Sequence, residues 1–372
     1  MLASKTFAYD GLAIRVSCSD ASDLQWLEEF LSPSFSLADD GAEDCSVTLE
    51  IDDQRHRNIT SSGAQANGGL VRAFILDRGP MEMALWPSSG SERVFFDAEA
   101  LVFYFVDQQA ARVRILATSR YRSRRVALMR VVRELVMSAA WTRTRFVLHA
   151  AACASGNTGI IIAGVKGAGK TTLLMYALGV NDTRFIANDR VVVDVGGEQA
   201  MAHGMPTVIS VREQTFSCLP AFAERWASTG YDARAALEER AERPSTTRTD
   251  ATNLTPAQFC DLLDVSACAS APVRFILFPR LAGDIEGMRV QELSPAAAGE
   301  RLAASIFAAT TLQISQAFAL PGRAFAPESA TIRTLSHTLI SRVRSFDCAI
   351  GPPAARIADE VGDFLNTLKR AI

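Results

Sequence analysis

The stretch Gly164-Val165-Lys166-Gly167-Ala168-Gly169-Lys170-Thr171 constrains this chain more than any other part of it. It meets the pattern G-x-x-x-x-G-K-[ST], with an apolar run, Gly159–Ala163, in front and an amphipathic run, Thr171–Leu178, behind. A strand that turns through glycines into a helix aims successive backbone N–H groups into one concavity. Glycines at 164, 167 and 169 are expected to supply the unusual backbone angles this needs. The positive end of the following helix adds to the attraction for an anion. Lys170 brings a point charge to terminal phosphates, and the Thr171 hydroxyl can ligate Mg²⁺. Residues Gly164 to Thr172 are therefore expected to bind ATP with Mg²⁺, and the fold class is α/β. The chain has only four lysines, and two of them, Lys166 and Lys170, stand in this loop.

Composition narrows the remainder. A length of 372 residues allows two domains, and 48% hydrophobic with 21% charged residues gives ample core. A formal net charge of −3 excludes a strongly basic surface, so no nucleic-acid partner is expected. Seven scattered cysteines without a Cys-x-x-Cys pair argue against a disulfide framework or zinc knuckle, and four dispersed histidines show no metal spacing. The first residues lack a signal-peptide h-region, and no run of about 18 apolar residues occurs. A cytoplasmic chain without a membrane segment is the expectation.

Residues 1–120 carry mostly strand patterning, in Leu12–Val16, Ser46–Ile51, Val71–Leu76, Met81–Trp86, Leu101–Val106 and Val113–Leu116, with one helix near Asp20–Leu31. This stretch reads as an N-terminal, mostly-β α+β domain; residues 121–372 read as the nucleotide-binding domain. In Arg122–Trp141 the apolar residues Leu128, Val131, Val132, Leu135 and Ala139 fall at helical spacing, with arginines on the opposite side. Phe146–Ala152 reads as a strand, Ser155–Thr158 as a tight turn, and Arg184–Ala187 as a strand ending at Asn188-Asp189. Further on, Val191–Val195 is extended, Ala221–Ala241 helical, Val273–Phe278 a buried strand and Ala296–Phe307 a helix. Ser345–Ile350 and Ala354–Lys369 close the chain as strand and helix.

Around the loop, His149 lies on the expected strand upstream and Asp189 ends the strand downstream. This arrangement resembles the HPr kinase/phosphorylase family and the bacterial proteins related to it. That family has a histidine-bearing strand, a hairpin into G-x-x-x-x-G-K-[ST], a helix, then a strand ending in two aspartates. Here His149 stands 21 residues before Lys170 and Asp189 stands 19 after it. The likeness covers about residues 122–215, and more faintly 272–278 and 336–368. It implies a P-loop kinase core of the HPr kinase/PEP carboxykinase-like type. It also implies Asp189 as the base toward a serine hydroxyl and His149 beside the phosphates, with Lys170 the third catalytic residue. The first aspartate of the pair is Asn188 here, an amide that can ligate a metal but supplies no charge. Glu213 is the counterpart of a downstream Mg²⁺-holding glutamate, without that residue's glycine-rich surroundings.

Read from the residues alone, Asp189 suits orientation or deprotonation of an acceptor, with a helix or turn cap or a Mg²⁺ ligand through water as the alternative. His149, among apolar neighbours, also reads as a satisfied core histidine. His203 is expected in a turn, and Arg248, in a polar stretch, either reaches a phosphate or is simply solvated. The leading expectation is a kinase acting on a Ser/Thr hydroxyl of a protein or peptide, with a ribosomally made peptide a reasonable acceptor. A nucleotide-gated binding protein with little turnover and a small-molecule kinase are the alternatives, and a homo-oligomer is left open.

Overall fold

The computed structural model describes residues 2–38, 41, 43–61, 69–76, 79–88, 90–121, 124–142, 144–212, 219–229, 251–307, 316–318, 328–352 and 355–370. The alternation of the N-terminal third becomes a nine-stranded sheet built from β1 (Ala3–Tyr9), β2 (Leu12–Cys18), β3 (Ser36–Leu37), β4 (Cys45–Ile51), β5 (Leu70–Leu76), β6 (Gly79–Trp86), β7 (Glu92–Asp97), β8 (Val102–Asp107) and β9 (Arg112–Ala117). Its order is β3-β1-β2-β4-β9-β8-β7-β6-β5, with β4 parallel to both β2 and β9. Leu12, Ile14, Val16 and Cys18 are buried while Arg15 between them is exposed, as a period of two requires. The expected helix is α1 (Ala21–Leu31), capped by the Asp20 carboxylate, which accepts from the Ser22 N–H. An unexpected helix, α2 (Asp53–Ser61), joins the opposite face through Ile59, and its His56 ring lies 5.1 Å from that of Phe103.

The long helix α3 (Arg124–Ala140) packs on α1 and on strands of the first sheet. Its apolar side chains join those of the first sheet and of the second in one continuous core. The arginine side expected to face solvent does not: every residue from Val126 to Ser138 is buried. Arg124 and Arg125 both donate to the fully buried Asp23 of α1. Arg130, Arg133 and Glu134 are buried as well, and Glu134 approaches Arg190 of the second half of the chain.

The second sheet contains β10 (Arg145–Leu148), β11 (Ala150–Ser155), β12 (Thr158–Ala163), β13 (Thr183–Ala187), β14 (Arg190–Asp194), β15 (Met201–Met205), β18 (Ser270–Leu281), β19 (Met288–Glu292) and β20 (Arg344–Ile350), while β16 (Ile209–Arg212) and β17 (Ala251–Leu254) pair separately. The order is β10-β14-β15-β18-β12-β11-β13, with β20 also on β18 and β19 on β20. β12 lies between antiparallel β11 and parallel β18, so the chain is a mixed α/β structure. After β12 comes α4 (Lys170–Leu178), whose residues from Leu173 to Leu178 are all buried. It is therefore not amphipathic as expected, because the helix Ala355–Arg370 covers it with Ile357, Val361 and Leu365.

Three further expectations change. The strand over Phe146–Ala152 breaks at His149: β10 pairs with β14, and β11 turns to pair with β12 and β13. His203 lies within β15, paired with Val192 and Ser270, not in a turn. The helix expected to run to Phe307 ends at Ala303, and Ile306 bridges to Leu148 instead. Of the helix expected over Ala221–Ala241, Pro220–Thr229 is seen, and the remainder lies outside the described residues. Among the described residues no helix is long and apolar enough to cross a membrane.

β15 is pressed so tightly against β13 that a Cβ on Gly204 would sit 2.2 Å from the Ile186 carbonyl oxygen. Gly204→Ala is therefore expected to destabilise the protein by about 2–4 kcal/mol, since backbone must move to admit the methyl. Thermal unfolding measures this directly, and an unchanged midpoint would show that the two strands separate freely.

Candidate active site

The glycine-rich loop forms where sequence places it, between the buried end of β12 and the start of α4. Gly167 and Gly169 have φ of 84° and 101°, the left-handed region that favours glycine. Gly164 does not, and its requirement is one of space: a Cβ there would lie 3.2 Å from that of Ala168, where the two ends of the loop close. Gly169 directly precedes α4, so the first-turn N–H groups of the helix open toward the loop. Val165, Lys166 and Gly167 form the exposed crest, while Ala168, Gly169, Thr171 and Thr172 are half-buried.

Lys170 is 8% exposed and folds back over the loop, its Nζ donating to the carbonyls of Gly164 at 2.8 Å and Val165 at 3.3 Å. Burial pushes its ammonium down from the ordinary lysine value, against the charge of Asp189, which favours the protonated form. The Thr171 hydroxyl donates to Asn188 Oδ1 at 3.1 Å, so the two candidate metal ligands are already in contact. The residue directly after β13 is therefore delivered to the first turn of α4.

Asp189 follows at the turn into β14. His149 Nε2 lies 3.0 Å from its Oδ1 and Arg190 Nε lies 3.6 Å from its Oδ2. A carboxylate only accepts, so the Nε2 of His149 carries the hydrogen. Side-chain exposure of Asp189 is 39%, yet the atoms packed around the carboxyl are dense enough to oppose its ionisation. That opposition is outweighed by the His149 hydrogen bond and by the charges of Arg190, His149 and Lys170, which hold the group well below the usual carboxylate range. The break that splits β10 from β11 is what turns His149 toward Asp189. Its own N–H donates to the Ser305 carbonyl at 2.7 Å and its ring stands 5.9 Å from that of Phe307.

Sequence reasoning missed the layer beneath. Arg190, 2% exposed, stacks over Phe307 at 5.3 Å and approaches the fully buried Glu134 of α3 at 3.8 Å. Arg133 also reaches Glu134, at 3.3 Å, and its guanidinium is pushed down to about 9 by burial and then by the neighbouring Arg190 charge. The signal was present: a charged Arg-Glu pair inside an otherwise apolar helical run marks charges that the fold must bury in pairs. His203 joins a different set, with Asp10, Arg145 and Asp194 as its charged neighbours. Glu213 and Arg248 lie outside the described residues.

The arrangement thus combines a glycine-rich loop at a helix N-terminus, a lysine folded over it, two side-chain oxygens at the first turn of the helix, and an ionised carboxylate held by a histidine. No family model and no curated protein sequence matches the chain. Among solved structures, the HPr(Ser) kinase/phosphatase from Coxiella burnetii aligns at 8% identity and a TM-score of 0.27, over 60% of this chain and 91% of that one. At that identity and score the likeness says nothing of this chain's chemistry, which stands on its own residues.

Proposed function

We propose that the chain is a phosphotransferase that uses ATP with Mg²⁺ and delivers the γ-phosphate to a Ser or Thr hydroxyl of a protein or peptide. The observation that carries this reading is the His149–Asp189 pair within electrostatic reach of Lys170, next to Asn188, which touches the first turn of α4 after the Gly164–Thr172 loop. The residues fit the nucleotide. Gly164 and Gly169 let the loop close against Ala168 and against Pro279 and Leu281 of β18, where a Cβ would crowd, and Lys170 sits within hydrogen-bond reach of the loop it closes. Thr171 and Asn188 offer hard oxygen donors, suited to a cation that keeps several waters and takes its remaining ligands from phosphate.

ATP bound with Mg²⁺ supplies an electrophilic phosphoryl group whose transfer needs chiefly positioning and charge. Lys170 and the loop N–H groups hold the terminal phosphates. Asp189 accepts the hydrogen bond of the acceptor hydroxyl and sets its direction of approach. A carboxylate held this low is a weak base, which suits a loose transition state in which the acceptor proton moves late. His149 fixes the carboxylate rotamer, and Arg190 with Glu134 backs it from below.

The test is transfer of labelled phosphate from ATP to serine- or threonine-bearing peptides, including candidate acceptors recovered with the purified protein. Label on an acceptor supports the reading; ADP release without a labelled acceptor counts against it. A second measurement probes Asn188. Asn188→Asp is expected to tighten Mg²⁺ binding by about tenfold, because a carboxylate is the better ligand for a hard cation. An unchanged Mg²⁺ dependence would place residue 188 away from the metal.

A further inference from the structure

The register of β18 leaves an apolar surface beside the loop. Leu277 pairs with Ile162 near the end of β12, and β18 then continues as Pro279-Arg280-Leu281 alongside the loop, held on its other edge by β20 as far as Ile350. Side chains alternate along a strand, so Pro279 and Leu281 share the face of Phe275 and Leu277, on which α4 packs. A Cβ on Gly169 would lie 3.0 Å from Leu281 Cδ2 and 4.0 Å from Pro279 Cβ. Leu281 therefore covers the residue that precedes α4, yet remains 58% exposed. Val165, on the crest of the loop, is 57% exposed. Single exposed leucines need no explanation elsewhere on a surface. Here two apolar side chains border an anion cradle, which fits a ligand anionic at one end and flat and apolar at the other.

Building on the nucleotide reading, we infer that Leu281, with Val165, forms the shelf against which the nucleobase of the bound nucleotide packs. The sheet order selects this occupant. Leu281 ends β18 on one side of β12, whereas Asn188, which accepts from Thr171 at the first turn of α4, follows β13, two strands away on the other side. A triphosphate lying along the loop with its γ-phosphate toward Asp189 carries its nucleoside toward β18, in line with the rule that ligands sit outside the carboxyl ends of parallel strands. An apolar acceptor side chain belongs on the Asp189 side.

The experiment compares calorimetric affinities of the full chain, Leu281→Ala and Leu281→Phe for ATP and for inorganic tripolyphosphate, each with Mg²⁺. The wild-type measurement with tripolyphosphate tests the loop by itself: failure to bind either ligand overturns the nucleotide reading and this inference together. With the loop sound, Leu281→Ala is expected to weaken ATP about fivefold through lost apolar contact while leaving tripolyphosphate unchanged. Leu281→Phe is expected to bind ATP at least as well as wild type, because an aromatic ring stacks on a base. Equal losses for both ligands would mean that Leu281 only shapes the loop through Gly169, and the shelf would be refuted. It would also be refuted by unchanged ATP affinity, whether or not the KM for a peptide acceptor rises. Since Leu281 is exposed, its variants fold, and matching unfolding midpoints check that.

Discussion

Lys170→Ala is expected to reduce phosphoryl transfer by about two to three orders of magnitude, the usual scale for removing a preorganised charge from a developing phosphate. The fold should not change. Nζ spans from the first residue of α4 to the carbonyls of Gly164 and Val165, and Val165 is on the exposed crest where water can replace the ammonium. The side chain is part-buried, so a loss of about 1 kcal/mol in stability is the upper expectation. Affinity for ATP should fall as well, because burial has already stripped the lysine of much of its water and an anion restores a partner to it. Turnover, nucleotide affinity and the unfolding midpoint are the three measurements. Wild-type affinity together with wild-type turnover would remove the loop from the mechanism. A collapse of the midpoint would instead make Lys170 a structural clip across the loop.

Much of this site was legible because its parts are close in sequence or periodic. The loop, β12 and α4 follow from glycine placement between two apolar runs. The expected strands of the N-terminal third appear nearly to the residue, and in β2 and β4 the reason is plain, since one face packs on the core and alternation survives. What was lost has physical reasons. α2, with the sequence Asp-Gln-Arg-His-Arg-Asn-Ile-Thr-Ser, buries only His56 and so carries no apolar stripe to read. His149 sits at a strand break created by pairing with β14 on one side and β13 on the other, both well downstream, and no local property of Phe146–Ala152 announces it. The positions of Arg133, Glu134 and Arg190 are visible in the sequence, but their meeting depends on Glu134 of α3 reaching Arg190 at the start of β14, a tertiary fact. β1 and β7 are not legible, because polar residues interrupt the alternation in Ala3–Tyr9 and Glu92–Asp97 and pairing with β2 and β8 makes them strands.

Asp189→Asn separates the roles that the structure leaves to one carboxylate. If Asp189 orients the acceptor, the substitution should lower kcat by about two to four orders of magnitude while Mg²⁺-ATP affinity stays within a few-fold of wild type. Loss of binding equal to loss of rate would make it a metal ligand instead. The amide keeps the shape and can still accept from His149 Nε2, but it no longer offsets Arg190, which is 3% exposed in its side chain and shares Glu134 with Arg133. Arg190 then carries its charge with less compensation, so some destabilisation is expected. Its pH dependence follows from the direction of the Asp189 shift. The folded carboxyl is held below its ordinary value of 3.8, so the stability it contributes is fully present above that value and is lost as pH falls through the folded one. The stability gap between wild type and Asp189→Asn should therefore be constant near neutrality and narrow only in strong acid. A gap that instead opened as pH fell would show that Asp189 is ionised less readily in the folded chain than out of it. The His149 bond, the Arg190 contact and the Lys170 charge would then not act on the carboxylate together, and the constellation that carries the phosphotransferase reading would be lost.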